Sequence, residues 1–374
     1  MASFPHRPIA IFLQPNYLAR SLSASERLAC HFHNYAYLCD RLTPSALLAL
    51  YGDGVELFSR DEAACRLAVN RKAPNQGELS LNLSVGGEEV YALGFSFVPG
   101  AVFRADEPTL PLISRMQGAA RSFEDIRAAT KMFGDIAPQA VLFAALLGVA
   151  ERLAIRHILG APAHLQPSYS ERNAEALTRN YDAFFAAVGA ARESGGFYVY
   201  DRARFADILD HMPAKHRART KAKRRLKAAL AAEAAAALAA HVLPGLAPGW
   251  RRAAHFMAEH VSTRVGERRA GVIATSGKAG FLLFGPYAYL EAGDYEAAFL
   301  LEDVTRCGDF VIDVMAQRGG TPIAQRTVAA LAPGEAPVLA FHLAQATDDL
   351  EFRLFASAES AFAVRGVELR ARQT

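Results

Sequence analysis

Only four cysteines (Cys30, Cys39, Cys65 and Cys307) occur in 374 residues, and none stands at CxxC spacing. That poverty excludes a disulfide-stapled scaffold and argues against a zinc site, so the thiols are expected to be reduced, small buried hydrophobes. Long apolar runs are missing as well. Ile9 to Leu13 is too short for a signal-peptide core and follows Pro5 and Pro8. Ala140 to Ala150 stops at Glu151 and Arg152, well short of the roughly 20 residues a membrane span needs. A buried helix and a cytoplasmic location are the expectations. G-x-S-x-G, H-E-x-x-H and Walker segments are absent, which removes the usual sequence support for serine hydrolase, zincin and P-loop chemistry. Net charge is only +3, so the global balance selects no partner.

What is present suits a globular protein: 52% hydrophobic and 10% aromatic residues supply substantial cores, and the length favours two domains. Ser23 and Glu26 have the spacing of a capping box, and Leu28, Phe32, Tyr35, Leu38 and Leu42 follow at helical period. A helix is therefore predicted over about 24–42. Glu78 to Val85 and Tyr91 to Phe97 alternate apolar and polar residues around Gly86-Gly87, which predicts a hairpin. A strand near Thr109 to Ser114, a polar helix over 123–132 and a nearly all-apolar helix from Pro138 to about 154 come next. Ile155 to Leu159 reads as a strand, 173–188 as a helix and Gly196 to Tyr200 as another strand. Strand, helix and adjacent strand together imply a crossover.

From Lys215 to Ala240 a basic and then alanine-rich stretch predicts a long helix. Leu243 to Gly249 holds two Pro and two Gly and reads as a linker. Residues 250–268 look helical. Beyond them strand-like segments near 280–284, 295–302, 310–316, 338–343, 350–356 and 362–369 have no helix between them, which predicts an antiparallel sandwich. The expected class is α+β: an α/β domain over 1–242, a linker and helix over 243–269, and an all-β, jelly-roll-like sandwich over 270–374.

Arg27 to His33, the hairpin strands, Met116-Gln-Gly118, Ile126 to Lys131, Pro138 with its apolar helix, Tyr181-Asp-Ala-Phe184 and the basic run from Lys215 resemble the VirK/YbjX family over most of 8–240. That resemblance implies a link to bacterial virulence and antimicrobial-peptide resistance. The family's basic and histidine segment after the Thr-Lys pair is replaced here by Met132 to Asp135. The order of elements is similar to a GNAT-type N-acyltransferase, a mixed sheet with a central helix. Gly285 to Tyr295 resembles a carbohydrate-binding-like jelly-roll module.

If the GNAT likeness holds, acyl transfer to an amine needs a base, an amide for the thioester carbonyl and an acid for the departing thiolate. Tyr181 is the candidate acid, with a packed aromatic as its structural alternative. His157 and His164 are the candidate bases, placed around the end of the second crossover strand. Gln117, Gly118 and Gly134 offer the backbone turns for an acyl-CoA or acyl-carrier-protein donor, and Lys131 a cation for its anionic groups. His31 and His33 lie two apart on a helix, the wrong spacing for joint metal ligation. Lys215, Arg217, Arg219, Lys221, Lys223, Arg224, Arg225 and Lys227 form a run without acids until Glu233. It fits an anionic partner, whether a carrier protein, a phosphorylated glycolipid or nucleic acid, and equally a solvated helix face. Two functions stand: an acyl- or aminoacyl-transferase modifying an amino group of a surface-glycan or lipid precursor, and a noncatalytic binding or regulatory protein of the envelope stress response.

Overall fold

A computed structural model describes residues 11–119, 123–192, 195–205, 217–243, 250–269, 271–317, 319–331 and 335–372. It divides into two compact units, Met1–Pro244 and Gly245–Thr374.

In the first unit, helix α1 (Ala24–Arg41) begins at the expected capping box: the Ser23 hydroxyl accepts from the Glu26 amide, and the Glu26 carboxylate accepts from the Ser23 amide. Helix α2 (Pro44–Tyr51) follows, capped by Thr43 with Pro44 at its first position. Sequence periodicity missed this short helix. It also missed β1 (Val55–Arg60) and β2 (Ala63–Val69), which precede the expected hairpin of β3 (Leu79–Val85) and β4 (Glu88–Pro99). Gly86 and Gly87 take φ of +59° and +87°, the left-handed pair a two-residue hairpin turn demands. Strand β5 (Thr109–Gly118), α3 (Phe123–Met132), α4 (Pro138–Arg152) and β6 (His157–Gly160) come next.

The helix expected over 173–188 is interrupted. It consists of α5 (Ala174–Leu177), a π-turn (Thr178–Asp182) and α6 (Ala183–Val188), which ends on Gly189 in the left-handed conformation. Short β7 (Ala191–Arg192), β8 (Tyr198–Asp201) and the long α7 (Arg217–Ala239) complete the unit. The sheet order is β1-β2-β3-β4-β5-β6-β8-β7. Among the described strands, β5 and β6 form its parallel pair and the other neighbours are antiparallel. Helix α4 is the crossover between them, and Val141 to Ala150 are buried along it. This is the mixed sheet with a central helix that the element order implied.

A buried polar cluster ties α1 to the sheet. The Glu78 carboxylate accepts from Tyr17 Oη and, at 2.9 Å, from Asn34 Nδ2, and lies 2.6 Å from His31 Nδ1. Asn34 Oδ1 accepts from the Phe97 amide at 2.9 Å. Burial first, and then the Glu78 charge, push the Tyr17 hydroxyl far up, so it remains a donor. His33 turns to Thr109 instead.

The second unit is a β-sandwich. One sheet runs β10 (Glu267–Arg269), β11 (Val272–Ala274), β19 (Ala361–Arg372), β14 (Gly293–Arg306), β17 (Val338–Leu343), with β9 (Trp250–Met257) also paired to β19. The other runs β12 (Gly280–Leu283), β18 (Thr347–Ala356), β15 (Phe310–Ala316), β16 (Thr321–Val328), with β13 (Pro286–Leu290) paired to β18. Phe299, Phe310, Ile312, Phe352, Val364 and Leu369 lie in its shared core. The expected helix over 250–268 is corrected: Trp250–Met257 is a strand, because Ala254 and Phe256 pack on that core and β19 offers it pairing from Trp250 to Met257, with one irregularity at Leu369/Arg370. Residues 244–249, most of the expected linker, lie outside the described residues.

Candidate active site between the parallel strands

Two parallel strands joined by a crossover diverge toward ligand at their carboxyl ends. Here those ends are Met116 to Gly118 on β5 and Gly160 on β6. The π-turn reaches both strands. Tyr181 Oη accepts from the Met116 amide at 2.9 Å, and Asp182 Oδ2 accepts from the Ala163 amide, just past β6, at 3.3 Å. The extra residue of a π-turn shifts the helix register, which aims consecutive side chains at two strands.

Tyr181 is 3% exposed and belongs to the main core. Burial pushes its hydroxyl up to about 12, against the opposing pull of the Met116 amide and Arg115. It is therefore protonated at neutral pH. An oxygen that accepts the amide hydrogen retains its own proton to donate.

The two histidines flank β6 at opposite ends. His157 opens the strand, half-buried, with Nδ1 3.2 Å from Glu107 and Nε2 4.0 Å from Asp201. His164 is exposed beyond the carboxyl end, on the same side as the π-turn. Only His164 shares the end of the sheet that carries Tyr181.

Gln117 is exposed at the end of β5, and Gly118 faces Ile126 of α3 so closely that a Cβ there would stand 2.9 Å from Ile126 Cδ1. Lys131 is exposed in the last turn of α3. Gly134 and Asp135 make the turn into α4 at φ +61° and +59°. That turn is tied to α7, where Lys223 Nζ donates to the Asp135 carbonyl at 2.5 Å. Gln117 and Gly118 thus lie together at the end of β5, whereas Lys131 and Gly134 form a second group where α3 and α4 meet α7.

Of the basic run, Lys215 lies outside the described residues, and Arg217 and Arg219 are placed only as helical backbone. Lys221 and Arg225 are exposed, and Lys223, Arg224 and Lys227 are half-buried. Burial, and then Arg224 and Lys223, lower the Lys227 ammonium pKa. Among the described residues no His, Cys, Asp and Glu group suits a metal, and no helix is long and apolar enough to cross a membrane.

No curated protein matches this sequence. Among solved structures, the chain is similar to the C-terminal CBM6 of LamC from Zobellia galactanivorans at 9% identity and a TM-score of 0.23, over 32% of this chain and 98% of that one. It is similar also to the CBM22-1-GH10 modules of xylanase 10B from Clostridium thermocellum, at 14% identity and a TM-score of 0.18, over 34% of this chain and 26% of that one. A third likeness is to infectious bursal disease virus, Gt strain, at 15% identity and a TM-score of 0.19, over 35% of this chain and 37% of that one. Residues 6–235, more than half the chain, match the family described as a protein of unknown function, DUF535, so the chain belongs to that family, the VirK/YbjX family.

Proposed function

We propose that the first unit is an acyl- or aminoacyl-transferase that modifies an amino group of a surface-glycan or lipid precursor. The donor would be a coenzyme A or carrier-protein thioester, which supplies an activated carbonyl carbon. The observation that carries the reading is the Tyr181 hydroxyl hydrogen-bonded to the Met116 amide where β5 and β6 part. As the amine nitrogen bonds to the carbonyl carbon and the carbon–sulfur bond breaks, Tyr181 delivers its proton to the leaving sulfur, while a base, His164 in this reading, takes one from the ammonium. Gln117 and Gly118 border the donor on the β5 side. The exposed Lys221 and Arg225 of α7 would meet an anionic carrier protein. Such donors belong to the cytoplasm, which is where the reaction is placed, in the service of envelope modification and antimicrobial-peptide resistance.

For the second unit we infer a carbohydrate-holding role. Tyr287 and Tyr289 of β13 are 45% and 59% exposed, two aromatic rings of the kind that stack on sugar faces.

One observation favours the other reading, a noncatalytic envelope-stress binding protein: Tyr181 is enclosed by the core, as a packing residue would be. The two readings separate on Tyr181→Phe. Removing the oxygen from a positioned acid lowers turnover by about 10²-fold. A packing role predicts only the loss of one buried hydrogen bond, about 1–3 kcal/mol of stability. Native mass spectrometry of freshly purified protein should retain a thioester, and single-turnover acyl transfer should fall in the variant. A chain that neither retains nor turns over any thioester, with Tyr181→Phe altering stability alone, would sink the transferase.

A further inference from the structure

The opposite face of the β2–β5 region carries a second polar site. Ala68, Ser80, Gly94 and Arg115 lie in one register row across four strands. The row is small and polar, while the adjacent residues Leu67, Leu81, Leu93 and Met116 form an apolar row turned to the other side. The β2–β3 connection folds over this face, and the missing Cβ at Gly94 lets the Gln76 carbonyl pack against the strand beside Asn70 Nδ2 and Arg115 Cβ. The result is a cleft of about 180 Å³ lined by Asn70, Arg71, Lys72, Ser80, Asn82 and Arg115, with Glu89 at its side. At roughly 30 Å³ per water molecule, it has room for a small hydrated group or a compact anion.

The charges converge there without balancing. Lys72 Nζ pairs with Glu89 at 2.9 Å, and Arg71 donates to the backbone carbonyls of Tyr51 and Gly52. Arg115 Nε is buried and has no hydrogen-bond partner among the described residues. Its neighbour Ser114 sits at the irregularity where β5 slips against β4, and its buried hydroxyl is unpartnered in the same sense. A buried guanidinium nitrogen without an acceptor is costly to leave so, and its planar fork matches oxyanions. Three cations against one carboxylate leave an excess that suits a doubly charged group better than a single carboxylate.

We propose that this cleft is a binding site for a phosphoryl dianion, with Arg115 as its principal ligand and Lys72, Arg71 and Asn82 around it. The site is distinct from the π-turn and stands whether or not the chain transfers acyl groups. Inorganic phosphate is the probe, titrated calorimetrically into the full chain at pH 8 and fixed ionic strength, with acetate as the monoanion. One phosphate should bind saturably, at least ten-fold tighter than acetate. Arg115→Gln should lose ten-fold or more, and Lys72→Gln, at an exposed side chain, a smaller factor. Arg224→Gln with Arg225→Gln on α7 should change nothing. Should Arg115→Gln fail to fold by circular dichroism, the Lys72→Gln loss decides. Absent saturation, acetate equal to phosphate, unchanged affinity in the cleft variants, or a loss confined to the α7 pair would each overturn the site.

Discussion

Glu368 is 2% exposed, yet it stays ionised because Arg252 Nε approaches at 2.6 Å and Arg370 Nε at 2.8 Å. Burial alone would raise its pKa, but the two guanidinium groups outweigh burial and hold the carboxyl below its ordinary value. A lowered folded-state pKa means that the pair's stabilisation is fully present above the unfolded carboxyl's value, near 4.5, and is lost as pH falls through the folded value. Thermal melts of the full chain should therefore show the sandwich transition weakening below about pH 4.5. Glu368→Gln should flatten that acid dependence and cost about 1–3 kcal/mol at neutral pH, because it removes the carboxylate that Arg252 and Arg370 share, while Arg370 keeps Glu296. An acid limb as steep in the variant as in the parent would assign it to other carboxylates. None of this was visible in the sequence, since a strand glutamate reads as solvated. Glu78 and Arg115 escaped for the same reason: one lies in α1's buried cluster and the other in a cleft roofed by a loop, and both environments come from tertiary folding. Tyr181, by contrast, could be singled out from the order of elements, although its contact with Met116 could not.

Among the elements, α4 and α7 show how composition can be read correctly for an incomplete reason. Alanine richness predicted α7 through helix propensity. Its packing has a second cause, since Ala231 and Ala234 are buried against α4 at Gly148. A Cβ on Gly148 would run into the Ala231 carbonyl and stand 2.9 Å from Ala234 Cβ. Gly148→Ala should accordingly destabilise the first unit by about 1–3 kcal/mol despite alanine's better propensity. Urea unfolding followed by circular dichroism measures it, and a gain in stability would show that the helices separate without cost. Helices α1 and α3 and strands β15 and β17 were legible almost to the residue. Others were not. Eight-residue α2 spans barely two turns, β1 mixes buried and exposed positions irregularly, β2 alternates in burial but hides it in the sequence behind Ala64 and Ala68, and β9 takes its conformation from pairing with β19.

At the scale of the whole molecule, the first unit's last described residues are pinned. The Thr43 amide donates to the His241 carbonyl at 2.9 Å and the Leu243 amide to the Arg41 carbonyl at 2.8 Å. Beyond them Pro244, Gly245, Pro248 and Gly249 crowd six residues, a composition that resists regular hydrogen bonding. Limited proteolysis should cut between 243 and 250 and leave two protected fragments, resolved by mass spectrometry. Digestion that spares neither, or a first cut within β9, would count against an independently stable sandwich. That sandwich has one further property. Strands β9 and β19 are antiparallel neighbours, and Trp250 lies opposite Arg372. Tension applied at those two residues would load their shared ladder one rung at a time, opening it like a zipper. A pair pulled in opposite directions along its length breaks all rungs together and resists far more. Any task that stretches the chain between those residues would therefore peel β9 from β19 first.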